Sequence, residues 1–251
     1  MNGKFVRLAC ATILMAGSAS AQPSTQWPIH SKDRPQPGIV DPGPGALPVP
    51  APKDAMILFD GTDLSKWVQA KGGEAARWVV RDGYFEARPG SGDLMTRESF
   101  GDVQLHVEWA SPDPPKGSDQ DRGNSGVYLM SKYEVQVLDS YNNKTYADGQ
   151  AGALYGQFPP LVNASRPPGV WQSYDIVFHG PRFDSSGALQ RPATFTVLHN
   201  GVLVQDHVTL SGPTAHYARP PYEAHADKLP ILLQDHGHPV RYRNIWLREL
   251  R

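Results

Sequence analysis

The sequence predicts an all-β protein built as a two-sheet antiparallel sandwich of jelly-roll type. Three observations lead there. Glycine and proline each number 24 and aromatics make up 10% of 251 residues, a mix suited to short strands joined by turns. Two hairpin dipeptides, Asp82-Gly83 and Asn200-Gly201, are each flanked by strand-like runs. About ten such runs recur along the chain, and no stretch offers three clean turns of helical periodicity.

The elements follow in order. Lys4 and Arg7 precede an apolar run from Leu8 to Ala16, and Ala19-Ser20-Ala21 supplies small residues for cleavage, so residues 1–21 read as an export signal. Export to the periplasm or beyond is the expectation. Cys10, the single cysteine, lies inside that signal, which leaves the remainder without a disulfide or a thiol nucleophile. No later stretch reaches the roughly 20 apolar residues of a membrane span. Residues 22–53 carry nine prolines and few large apolar groups, and are expected to form an extended lead-in; Trp27 and Ile29 are anchors if it lies along the domain.

The domain proper, 54–251, opens with Met56-Ile57-Leu58-Phe59 and the turn Asp60-Gly61. Residues 78–81 and 84–87 form the first predicted hairpin. Strand 103–109 puts Leu105, Val107 and Trp109 on one face and Gln104, His106 and Glu108 on the other. Polar loops at 111–122 and 140–170 are long enough to wall a cleft, and residues 211–228 form a further loop. Residues 174–178, 194–199, 202–207, 229–234 and 243–250 supply the remaining strands.

The stretch from Gly123 to Asp139 is the functional centre of this reading. It holds two strand-like runs, and in the second Glu134 and Gln136 alternate with Val135 and Val137, giving a polar face backed by an apolar one. Acid and amide side chains on a pleated surface can grip a hydroxyl-rich ligand, and they also simply face water in many sheets. A net charge of −1 and a pI near 6.8 argue against a nucleic-acid surface. Phosphate-loop, zinc-protease and nucleophile-elbow motifs are missing from the sequence, so no nucleotide cofactor is expected.

Met56-Ile57-Leu58-Phe59-Asp60-Gly61-Thr62-Asp63-Leu64-Ser65-Lys66-Trp67, Gly123-Asn124-Ser125-Gly126-Val127-Tyr128, Tyr133-Glu134-Val135-Gln136-Val137-Leu138-Asp139, Gly152-Ala153-Leu154-Tyr155-Gly156, Leu233-Gln234-Asp235-His236-Gly237 and Arg243-Asn244-Ile245-Trp246 together resemble the 3-keto-disaccharide hydrolase domain family. The resemblance covers about residues 54–251 in the family's order. It implies a concanavalin-like jelly roll acting on glycosides whose ring carbon 3 is a ketone, supplied by a separate sugar 3-dehydrogenase. A C3 ketone acidifies the C2 hydrogen, so a base can remove it and the aglycone leaves from C1 by elimination. Addition of water then completes net hydrolysis. That route requires a base near C2, a hydrogen-bonding group at the ketone oxygen and an acid at the leaving group.

Glu134 leads the candidates for proton transfer, and serves equally as a hydroxyl acceptor. Glu108 is its candidate partner; two acids straddling a ligand would instead perform ordinary glycoside hydrolysis. His236 suits proton transfer or a divalent cation, although two histidines two residues apart beside Pro239 read first as a turn. Asn124, Ser125, Gln136, Gln234 and Asp235 are candidate sugar contacts, with Tyr155 and Trp171 as stacking surfaces against a plain core role. Asp139, sharing parity with Val135 and Val137, is expected to be structural. A non-catalytic carbohydrate-binding module is the rival to an enzyme, because the same architecture serves both.

Overall fold

A computed structural model describes residues 27–250. The export signal expected at 1–21, with Cys10, lies outside the described residues. Two antiparallel sheets face one another. The larger runs in the order Val202–Thr209, Thr194–His199, Gln172–His179, Val103–Ala110, Arg241–Glu249, Tyr84–Glu86 and Val79–Arg81, with Met56–Phe59 also pairing to Arg241–Glu249. The smaller has the order Trp67–Gln69, Leu94–Phe100, Leu229–Leu233, Ser125–Leu129 and Tyr133–Val137. Among the described residues the only helical element is a single turn at Ala147–Gly149.

Both predicted hairpins form. Arg81 pairs with Tyr84 and His199 with Val202. All four turn residues take positive φ: 49° and 76° at Asp82 and Gly83, 54° and 81° at Asn200 and Gly201. That mirror-image turn follows the twist of the flanking strands. Alternation then fills the space between the sheets: Leu105, Val107, Tyr174, Phe178 and Phe195 from the larger pack against Leu94, Val127, Val135 and Leu233 from the smaller, all essentially without exposure. The Phe178 and Phe195 rings stand 4.7 Å apart, and removing each from water contributes about 2 to 3 kcal/mol.

The proline-rich stretch departs from a free lead-in. From residue 27 onward it is laid along the domain. Gly38–Ile39 pairs in parallel with Val162–Asn163, and the Val49 N–H donates to Glu108 Oε1 at 2.8 Å. Its buried anchors are His30 and Arg34; Trp27 and Ile29 are only half-buried. Prolines lack the donors for a regular ladder, so the strap is fixed by scattered bonds to loops, which composition does not reveal.

Candidate active site

The site grows from the hairpin Ser125–Leu129 and Tyr133–Val137. Met130 and Ser131 turn the chain, both at positive φ near 54°, and the register sets Tyr128 opposite Glu134 and Gly126 opposite Gln136. Strand alternation therefore puts Tyr128, Glu134 and Gln136 on the face turned away from the core, while Val127, Val135 and Val137 enter it. Gly126 makes the room. A Cβ there would stand 2.5 Å from Glu134 Oε1 and 2.7 Å from the Tyr128 ring.

Loops close over this face. Thr214 is fastened at both ends, its N–H donating to Lys132 O at 2.8 Å and its hydroxyl accepting from the Glu134 N–H at 3.0 Å, which brings Ala215 and His216 over the hairpin. The 140–160 loop contributes Tyr155, whose hydroxyl meets that of Tyr146 at 2.7 Å. Asn124, Tyr128, Glu134, Gln136, Tyr155, Thr214, His216, Gln234 and His236 enclose a cavity of about 230 Å³.

Its lining is polar and partly ordered by internal bonds. Gln136 Nε2 donates to Asn124 Oδ1 at 3.0 Å, and Asn124 Nδ2 donates to Gln120 O at 2.9 Å. Gln234 Nε2 reaches the Tyr128 hydroxyl at 3.4 Å. Glu134 is the one carboxyl among the lining residues. Burial pushes its proton affinity up to about 8, against a smaller opposing pull from the Tyr128 hydroxyl. The Tyr128 phenol is raised in turn, first by burial and then by Glu134. At neutral pH Glu134 is thus held mainly protonated, and its ionised form is far more basic than a surface carboxylate.

The structure brings together Glu134, His236, Asn124, Gln136, Tyr155 and Gln234 from the residues singled out in the sequence. It leaves four elsewhere. Glu108 lies on the larger sheet, fully buried, between Arg243 Nε at 2.7 Å, Asn244 Nδ2 at 2.8 Å, His106 Nε2 at 3.5 Å and the Val49 N–H. Burial alone would raise its affinity, but these donors outweigh it and hold the carboxyl near 2. It is a structural anion. Trp171 packs under the Arg243 guanidinium, 4.2 Å from the ring centre, also on the larger sheet.

Ser125 has the parity of the core residues, and its hydroxyl bonds Gln234 O at 2.6 Å and the buried Tyr242 hydroxyl at 2.7 Å. Asp235 caps the turn that carries His236, accepting from the Gly92 and Gly237 N–H groups at 2.9 Å each. Asp139 is structural as expected, paired with Arg122 at 2.8 Å. The His236 and His238 rings lie parallel at 6.1 Å. Among the described residues no three His, Cys, Asp or Glu side chains are grouped to hold a metal ion.

Sequence reasoning missed Tyr128, Thr214 and His216. Tyr128 was within reach: counting the hairpin back from a three-residue Met130-Ser131-Lys132 turn sets it opposite Glu134. The loop residues carried no comparable signal.

Residues 54–248 match the 3-keto-alpha-glucoside-1,2-lyase-like domain. The chain belongs to this family. A Parabacteroides distasonis crystal structure described as a candidate glycosyl hydrolase is 48% identical, with a TM-score of 0.77 over 80% of this chain and 85% of that one. Two further structures from the same organism, with the same description, share only the fold. One is 19% identical with a TM-score of 0.58 over 79% of this chain and 94% of that one; the other is 20% identical at 0.57 over 78% and 99%. A search of curated proteins gives no match. For this family member, the cavity on the smaller sheet is assembled from four of the six motifs quoted above; the motifs at 56–67 and 243–246 build the frame instead.

Proposed function

We propose that the chain is an exported carbohydrate-active enzyme that cleaves 3-keto-glycosides by elimination, with net hydrolysis after water adds. The observation carrying this reading is the solitary carboxyl of high proton affinity in a polar cavity. Ordinary glycoside hydrolysis uses two carboxyl groups flanking the bond. Here the second candidate, Glu108, sits on the other sheet as part of a buried ion pair. A single base of raised affinity suits removal of a weakly acidic C–H proton, since a stronger base is better matched to carbon acids.

In this mechanism ionised Glu134 takes the C2 proton. The electron pair moves to the C3 oxygen as an enolate and returns to form the C1–C2 double bond as the aglycone oxygen leaves C1. His236 protonates that oxygen. The amides of Asn124, Gln136 and Gln234 and the Tyr128 hydroxyl hold the ring hydroxyls and the ketone, supplying donors where charge develops. A cavity of about 230 Å³ is below the usual ~300 to 1,000 Å³ of drug-sized ligand sites, which suits one sugar ring with its aglycone at the mouth. The ketone is supplied by a separate sugar 3-dehydrogenase.

The test compares a 3-keto-glucoside deuterated at C2 with its unoxidised parent. Expected are turnover of the ketone alone, a primary isotope effect and release of deuterium to solvent. Cleavage of the unoxidised sugar would establish conventional hydrolysis instead. Binding of either sugar without turnover would establish a binding module.

A further inference from the structure

The family match begins at residue 54, yet the wall of the cavity rests on a residue well upstream of it. His30 sits at a tight turn closed by the Ser31 N–H on Pro28 O at 3.2 Å, with φ of 59°. Left-handed backbone is uncommon outside glycine and persists where surrounding contacts enforce it. The contacts are plain. The His30 N–H donates to Asp148 Oδ2 at 3.2 Å, and Nε2 bonds the carbonyl oxygen of His216. A carbonyl can only accept, so Nε2 carries the proton. Nδ1 faces Asp148 Oδ1 at 3.6 Å, with the aspartate side chain wholly buried.

The imidazole is also the hub of an aromatic cluster. Its centre lies 4.1 Å from Tyr146, 5.0 Å from Tyr155 and 5.1 Å from Tyr217. Two of the residues it touches, His216 and Tyr155, line the cavity, and they come from different loops. The same strap is tied further along by Lys32 to Asp119 at 2.9 Å and by Gln36 Oε1, which accepts from Gln150 Nε2 at 2.5 Å. Without the ring, the two loops would keep only their direct contacts, the Tyr155 and His216 rings at 6.3 Å and Arg219 Nε on Gly156 O at 2.9 Å, and the His216 carbonyl would lose its donor.

We propose that His30, from the proline-rich strap, is a positioning residue of the site: it holds His216 and Tyr155 in place, so the working site includes a segment outside the family domain. The kinetic part of this inference rests on the 3-keto-glycoside reading. Its structural part does not, and that separation shapes the experiment.

Full-length His30→Ala, His30→Gly and Lys32→Ala are compared with wild type. Amide hydrogen exchange is measured over 213–218 in the free protein, where Pro213 has no N–H and the Thr214 N–H on Lys132 O is the protected amide, followed by kinetics on a 3-keto-glucoside. The expected result for His30→Ala is exchange at 213–218 at least tenfold faster and kcat about 100-fold lower, the scale set by an ångström-level misplacement. Lys32→Ala, which removes an exposed tie only, leaves kcat within about twofold. Added imidazole partly restores His30→Gly, a rescue that a general loss of stability would not permit. Unchanged exchange at 213–218 in His30→Ala overturns the proposal, as does faster exchange with unchanged kcat. If wild type turns over no 3-keto-glucoside, the functional reading fails, and the exchange data alone decide whether His30 orders the wall.

Discussion

Replacing Glu134 by Gln should make the protein more stable while sharply slowing its chemistry, and the size of the gain should depend on pH. In an unfolded chain the carboxyl titrates near 4.5; in the folded protein it does so near 8. Below pH 4.5 it is neutral in both states and has no linkage effect. Between the two values the unfolded chain has released a proton that the folded protein retains, so stability falls as pH rises. Above 8 the group is ionised in both states and the loss levels off at about 5 kcal/mol. Gln cannot ionise and escapes this loss. Urea unfolding at pH 4 and pH 9 measures it: with a slope near 3 kcal/mol per molar, the midpoint gap between Gln and Glu should widen by roughly 1 to 2 M. Other titrating groups are common to both proteins and largely cancel. A gap that is the same at both pH values would refute the idea that Glu134 is desolvated in the free protein, and with it the basis for its role. Turnover should fall by on the order of 10² to 10⁴ in the same variant.

Three further outcomes are expected. Glu108→Ala should cost about 3 to 5 kcal/mol by leaving Arg243 and Asn244 without their acceptor, and the deficit should shrink on acidification toward pH 2, where wild-type Glu108 also takes a proton; denaturation across pH 2 to 7 checks it. Gly126→Ala should lower activity at least tenfold, with a stability loss of about 1 to 3 kcal/mol, because its Cβ falls against Glu134 Oε1; kinetics and calorimetry together test this. Ser125→Ala should cost about 1 kcal/mol for the bond to Tyr242 and leave kcat within about twofold, whereas a large kcat loss without destabilisation would return Ser125 to the site.

The pattern of successes follows the range of each signal. Asp82-Gly83 and Asn200-Gly201 are local devices, and the hairpins they make are where two-residue chemistry places them. Strand Leu94–Phe100 passed unnoticed because Arg97, Glu98 and Ser99 break its alternation with three exposed residues in a row. Period-2 alternation correctly separated Glu134 from Val135 and His106 from Val107, but it assigns parity within one strand and not the partner of each face. Glu108 and Glu134 therefore looked alike in sequence. They differ because Arg243 and Asn244, more than 130 positions away, reach the first, while among the described residues no arginine or lysine pairs with the second. Similarly, Thr214 and His216 owe their place to hydrogen bonds with Glu134, Lys132 and His30, none of which leaves a periodic trace.

The strap's far end carries a practical lesson for anyone preparing this protein. Val49 offers its N–H to Glu108 and its carbonyl to Asn244, both at 2.8 Å, so the back of the sandwich is completed by a residue five positions ahead of the family boundary. A shortened version beginning at 54 would open a charged seam to water on one side of the molecule and dismantle the aromatic hub on the other. Crystals or assays of such a fragment would describe a different object.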